Sequence, residues 1–249
     1  MTTRATQPRH VGGLTHASQV ATKPFRSVQV LASDAARLRD IAAFTGDPGL
    51  GKTFAVHYWA THQSLPWVWL DMPPKPSPKE VVVRLTRALQ GSCDSRAATY
   101  DLVDDLCGLL AEEPRVVIID EAQNLSREGL SQLRYLHDRA ASQFALLFVG
   151  ATGCAKVLRA HPELHSRVAR WVHFEPLRGA ELLEALREFH PLLAHADHRL
   201  LTQIDERYAK GVFRRWARLL EIAEPLAAKK HSSTLTTEIA KAALQAMPR

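Results

Sequence analysis

The residues Gly46-Asp47-Pro48-Gly49-Leu50-Gly51-Lys52-Thr53 constrain this chain more than any other stretch, because they spell a complete G-x-x-x-x-G-K-[ST] phosphate loop. A polyphosphate must be wrapped closely by backbone N–H groups, and Gly46, Gly49 and Gly51 let the chain turn where a Cβ would clash. Asp47, Pro48 and Leu50 complete the loop. Lys52 is placed to bridge β- and γ-phosphate oxygens and the Thr53 hydroxyl to ligate Mg2+. The helix opening at about Lys52 and continuing through Phe54 points its positive dipole end at the anion. Ile41 to Thr45, just ahead, is an apolar run suited to a buried parallel strand, so strand, loop and helix fall in the order the motif requires. The expectation is a chain that binds a nucleoside triphosphate and hydrolyses it.

A second segment, Val116-Val117-Ile118-Ile119-Asp120-Glu121, begins with four consecutive β-branched residues and reads as a central strand buried on both faces. Its two carboxylates fall at the strand's C-terminal edge, where open α/β sheets bind their ligands. Asp120 is therefore expected to face the Mg2+ held by Thr53, and Glu121 to polarise a water for in-line attack on the γ-phosphate. A third apolar run, Phe144 to Val149, ends in Gly150-Ala151-Thr152, which makes Thr152 a candidate to hold that water or sense the γ-phosphate.

At 249 residues and 46% hydrophobic the chain is long enough for one α/β domain plus a small appendage. No apolar stretch approaches the roughly 18 residues of a membrane span and no secretory signal is evident, so a cytoplasmic protein without membrane contact is expected. Cys93, Cys107 and Cys154 show no C-x-x-C spacing, which argues against a disulfide framework or a zinc site. The net charge of +6 and pI near 9.4 tilt the partners toward polyanions. Residues 1–27, with Arg4, Arg9, Lys23 and Arg26 and no acid, read as a flexible basic arm.

Strand and helix patterns alternate along residues 28–177, as a parallel sheet requires. Trp67 to Leu70 is a strand. Ser77-Pro78-Lys79-Glu80 has the N-cap, the first-turn proline and the capping-box glutamate of a helix start, with Val81, Leu85 and Leu89 on its buried face. Leu102, Leu106, Leu109 and Leu110 mark a further helix, Ser126 caps one running to about Ala141, and Trp171 to Phe174 is strand-like. From Arg178 the pattern is purely helical, in four segments over 178–249 that form a small lid.

This order resembles an AAA+ ATPase: phosphate loop, Asp-Glu strand, polar residue ending the next strand, arginine before the last strand, helical lid. The wording Thr45 to Thr53, Ile119-Asp120-Glu121-Ala122-Gln123 and Val149-Gly150-Ala151-Thr152 resembles, within that superfamily, the transposition-regulator group of MuB, TniB and TnsC proteins. The resemblance implies a fold of a P-loop NTPase parallel sheet with flanking helices followed by a helical lid. It makes Arg167, in Leu164-His165-Ser166-Arg167, the arginine finger that reaches a neighbouring subunit's γ-phosphate, with Arg170 as the alternative. Gly211-Val212-Phe213-Arg214 resembles the lid signature G-x-x-R, making Arg214 the second sensor, with Arg215 and Arg218 behind it.

The same resemblance implies ATP and Mg2+ as ligands and assembly into a homo-oligomeric ring or helical filament around double-stranded DNA. It also implies delivery of that DNA to a transposase, with a target-selection protein as a further partner, and disassembly upon hydrolysis. DNA contacts would come from Lys75, Lys79, Arg84 and Arg127, near the second strand's exit and the helix after the Asp-Glu box. ATP over GTP rests on the resemblance too, since no N-K-x-D segment appears. The Asp-Glu-Ala-Gln box is shared with ExeA-like secretion ATPases, which do not bind DNA, and helicase loaders of the IstB and DnaC type remain a further alternative.

Overall fold

The computed structural model describes Leu14, residues 16–139 and residues 143–247, and divides into two compact units. Of the described residues, the first unit holds 24–47, 52–139 and 143–174; the second holds Leu14, 16–23, 48–51 and 175–247.

In the first unit, helix α1 (Lys23–Leu38) precedes strand β1 (Ile41–Gly46), which runs through the phosphate loop into helix α2 (Lys52–His62). Strand β2 (Trp67–Asp71), helices α3 (Pro78–Gln90) and α4 (Thr99–Glu112), and strand β3 (Arg115–Asp120) follow. A 3-10 turn at Ala122–Asn124 leads into helix α5 (Arg127–Asp138), then strand β4 (Phe144–Gly150), helices α6 (Thr152–Arg159) and α7 (Pro162–His165), and strand β5 (Val168–Phe174). The strands make a five-stranded parallel sheet in the order β2-β3-β4-β1-β5. Every residue of β1, β3 and β4 is buried, as expected of central parallel strands with helices on both faces, whereas β2 and β5 at the edges bury only some of their residues.

Local chemistry explains the helix starts. The Ser77 hydroxyl accepts the Glu80 backbone N–H at 3.1 Å with Pro78 at the first helical position, and Ser126 does the same for Gly129 at 3.1 Å. The expected capping box on α3 forms only in part, since the Glu80 carboxylate accepts from Arg84 Nε at 2.9 Å. Helix α5 stops at Asp138 rather than near Ala141, and residues 140–142 lie outside the described ones.

The second unit contains helices α8 (Gly179–Phe189), α9 (Pro191–Ala194), α10 (His198–Ile204), α11 (Phe213–Lys229) and α12 (Thr237–Ala246), with a π turn at Asp205–Ala209. Trp216, Leu186, Leu219 and Ile239 are among its fully buried residues. Asp205 Oδ1 accepts both the Gly211 N–H at 2.7 Å and the Trp216 indole N–H at 3.1 Å, fixing the start of α11. The basic arm read over residues 1–27 needs correction. Residues 23–27 are helical, and Leu14, Ala17 and Val20 pack against the second unit's core, with the Ser18 N–H bonded to the Phe189 carbonyl at 2.8 Å. Those three apolar residues at spacing three are the reason, because they bury surface that a solvated arm would expose. Residues 1–13 lie outside the described ones.

Candidate functional site

The site is assembled where β1, β3 and β4 end side by side. Thr45 is in register with Gly150, Ile119 with Phe148, and Asp71 with Asp120, so the phosphate loop, the Asp120-Glu121 pair and the β4–α6 turn share one sheet edge. Gly46 closes β1 because a side chain is impossible there: at φ +146, an added Cβ would lie 2.3 Å from the Phe174 carbonyl oxygen. Lys52 is buried, and its ammonium donates to the Asp47 carbonyl at 2.8 Å. Thr53 follows as the second residue of α2.

Asp120 is buried at the tip of β3, and desolvation pushes its carboxyl pKa up to about 6. Hydrogen bonds from the Glu121 backbone N–H, at 2.9 Å, and from the Thr53 hydroxyl work against that rise, while the Glu121 and Asp71 charges add to it. The structure thus brings Thr53 and Asp120 into contact. An oxygen-donor pair containing a desolvated carboxylate suits a hard divalent cation such as Mg2+. Among the described residues there is no cluster of three or more His, Cys, Asp or Glu that could hold a metal ion.

Glu121 is exposed and adopts φ 53, ψ 37, a left-handed conformation that costs a non-glycine residue roughly 1–2 kcal/mol. Its N–H bond to Asp120 and the Asn124 N–H on its carbonyl, at 2.9 Å, hold it there. Asn124 in turn donates its amide to the Met72 carbonyl at 2.7 Å, tying the turn to the end of β2. The Gln123 amide donates to the Glu121 carboxylate and accepts the Ala151 N–H at 3.0 Å. Sequence reasoning takes Gln123 only as a member of the Asp-Glu-Ala-Gln box, without a role, and does not single out Asn124; their place directly behind the Asp-Glu pair was the available signal. Thr152 opens α6 and its hydroxyl donates to the Asp47 carboxylate. Cys154, one turn into α6, is fully buried and its thiol pKa is pushed up to about 12 by burial, which makes it an inert packing group.

The remaining candidates separate by their partners. Arg167 is half exposed and its guanidinium lies 3.1 Å from Asp138. Arg170 is largely buried against Asp40, and this structural pairing occupies the residue read as the alternative finger. Arg214 lies in the first turn of α11, its backbone N–H on the Gly49 carbonyl at 3.2 Å, with its side-chain Nε buried and lacking a hydrogen-bond partner among the described residues. Arg215 donates to the Tyr208 carbonyl at 2.9 Å. Of the basic residues proposed for DNA, Lys75 and Arg127 are exposed. Lys79 donates to the Ala97 carbonyl at 2.8 Å, and Arg84 pairs with Glu80 at 2.9 Å. Among the described residues no helix is long and apolar enough to cross a membrane.

Comparison with known proteins agrees with this geometry. A family model described as an AAA domain matches residues 36–158. No curated protein matches the chain by sequence. Among solved structures, the chain is similar to the Aeropyrum pernix ORC2 protein in its ADPNP-ADP complexes, at TM-score 0.67 and 18% identity, covering 96% of this chain and 71% of that one. It is similar to Cdc6p from Pyrobaculum aerophilum at TM-score 0.72 and 15% identity, over 96% and 70% of the two chains. The Aeropyrum pernix ORC1 protein in complex with DNA matches at TM-score 0.65 and 15% identity, over 96% and 67%. The fold is that of an AAA-type P-loop NTPase, a parallel sheet with flanking helices followed by C-terminal helices.

Proposed function

We propose that this chain is an ATP-hydrolysing AAA+ regulator of DNA transposition. It assembles with further copies on double-stranded DNA, recruits or activates a transposase, and comes apart when ATP is hydrolysed. The observation that carries the catalytic part is the gathering of Lys52, Thr53, Asp120, Glu121 and Thr152 at one sheet edge.

In this reading the phosphate-loop amides and Lys52 hold the triphosphate, and Thr53 and Asp120 hold Mg2+, which when bound neutralises phosphate charge. Glu121 orients a water and takes its proton as the water oxygen bonds to the γ-phosphorus. The bond to the β–γ bridging oxygen breaks in line, giving ADP and phosphate. Thr152, tied to Asp47, registers the γ-phosphate position. Arg167 is exposed, as a group that serves a neighbouring copy must be, and a guanidinium there stabilises charge on the transferred phosphoryl. Arg214, whose Nε lacks a hydrogen-bond partner among the described residues, is the sensor in the second unit.

Double-stranded DNA as the partner is supported by the basic charge and by the likeness in fold to an ORC1 protein solved in complex with DNA. Lys75 and Arg127 are its contacts, with Lys79 and Arg84 in lesser roles because both already have partners within the protein. The transposase partner rests on the wording of the three motifs.

The test is ATPase activity with and without duplex DNA, together with negative-stain imaging in the presence of DNA and a slowly hydrolysed ATP analogue. DNA-stimulated turnover and ordered assemblies along the duplex are expected. A protein that stays monomeric with both ligands, or that ignores DNA, overturns the reading. Lys75→Ala combined with Arg127→Ala should weaken DNA binding evenly across sequences and flatten its salt dependence.

A further inference from the structure

The geometry points to Gln123 as a positioning residue for Glu121, an inference that rests on the proposed role of Glu121 in orienting water. Gln123 spends both ends of one amide. Its Nε2 donates to Glu121 Oε2, and its Oε1 accepts the Ala151 N–H at 3.0 Å. Room for this bridge exists because residue 150 is glycine: a Cβ there would lie 2.5 Å from Gln123 Oε1.

What the bridge joins gives it meaning. Ala151 caps α6, and the next residue, Thr152, bonds to the Asp47 carboxylate, while the Asp47 carbonyl holds the Lys52 ammonium. A continuous path therefore runs from Glu121 through Gln123 and the β4–α6 turn to the phosphate loop. An exposed glutamate has free rotation about its side-chain bonds, and a base must sit within hydrogen-bond reach of the proton it takes. Tying Oε2 removes that rotation, leaves Oε1 for the water, and registers the carboxylate against the residues that hold the γ-phosphate. Glutamine suits the position because its amide has a donor and an acceptor at the required separation. Glutamate at 123 would keep the acceptor for Ala151 but face Glu121 with a like charge.

The test compares wild type, Glu121→Gln, Gln123→Leu, Gln123→Glu and the double variant Glu121→Gln/Gln123→Leu. The readouts are steady-state ATPase, with and without duplex DNA, and the affinity for a fluorescent ATP analogue. Both Gln123 variants should keep analogue affinity within about twofold while kcat falls about 10- to 100-fold, the loss expected from misplacing a reacting group. The double variant should be no slower than Glu121→Gln, since a residue acting through Glu121 has nothing left to position. Wild-type kcat in Gln123→Leu, affinity falling in parallel with kcat, or a slower double variant overturns the inference while leaving the role of Glu121 intact. Normal turnover in Glu121→Gln, or none in wild type, overturns that role and this inference together. Should Gln123→Leu fail to fold, Gln123→Glu carries the comparison.

Discussion

The Thr152 hydroxyl donates to the Asp47 carboxylate, so the turn after β4 is joined directly to the phosphate loop. Thr152→Val keeps the side chain's shape and removes the donor. The expected outcome is an unchanged circular dichroism spectrum with kcat/KM for ATP reduced about tenfold or more, a loss of about 1.4 kcal/mol in transition-state binding. Turnover equal to wild type would remove Thr152 from the site.

Lys52 is the buried cation of the loop. Wild-type protein should gain about 2.7 kcal/mol of stability at an ATP concentration 100 times its Kd, visible as a thermal shift. Lys52→Ala should show no such shift over the same titration, and an undiminished one would contradict the phosphate-cradle assignment.

Asp120 is held in an environment that opposes its charge. Asp120→Asn retains an acceptor for the Glu121 N–H and removes the desolvated carboxylate, so at neutral pH without Mg2+ the variant should be more stable than wild type by about 1–3 kcal/mol. Its Mg2+-dependent ATPase should be lost. Denaturant unfolding and an ATPase assay together check this; a variant less stable than wild type would show that Asp120 serves the fold rather than the ligand.

His137 is half-buried where α5 meets the loop before β1, donating to the Arg39 carbonyl at 2.9 Å with Phe144 edge-on at 5.3 Å. Burial, reinforced by the Arg167 charge, lowers its pKa below 6.5, against smaller opposing contributions from the Arg39 carbonyl, Asp138 and Asp40. The native state thus binds the proton less readily than the unfolded chain. The stability it contributes is fully present above pH 6.5 and is lost as pH falls from 6.5 through the lowered value. His137→Gln keeps a donor for Arg39 and should flatten unfolding free energy against pH in that window, by at most about 1.4 kcal/mol per pH unit. An unchanged slope would assign the acid sensitivity elsewhere.

Arg167→Ala should reduce turnover in the assembled protein without altering nucleotide affinity in the monomer. Mixing it with a Lys52→Ala partner, which cannot bind ATP but retains Arg167, should restore activity if the guanidinium acts across an interface. Mixtures no more active than their components would confine Arg167 to its own subunit.

Much of this architecture was legible because short-range rules dictate it. The Gly-rich loop needs a strand before it and a helix after it, and Val116 to Ile119 have no stable place but a doubly covered strand. Thr53 and Asp120 were expected together for the same reason, since both motifs end at one sheet edge. What escaped the sequence depended on contacts distant along the chain. Leu14, Ala17 and Val20 look like scattered apolar residues in a basic segment until the helices they cover are present. Lys79 and Arg84 looked available because nothing in the sequence marks the Ala97 carbonyl as a partner, and Glu80 reads equally well as a capping residue. Gln123 is silent for the same reason: its acceptor role needs Ala151, 28 residues away.

Asp138 also receives the Arg134 guanidinium at 2.8 Å, and Arg134 reaches Glu163 at 3.1 Å. If Arg167 swung outward, Asp138 would therefore not be stranded as a lone anion. The departure would cost only the modest worth of a partly solvated ion pair, about 0–1 kcal/mol, so a second copy of the chain could draw this arginine away with a single good contact.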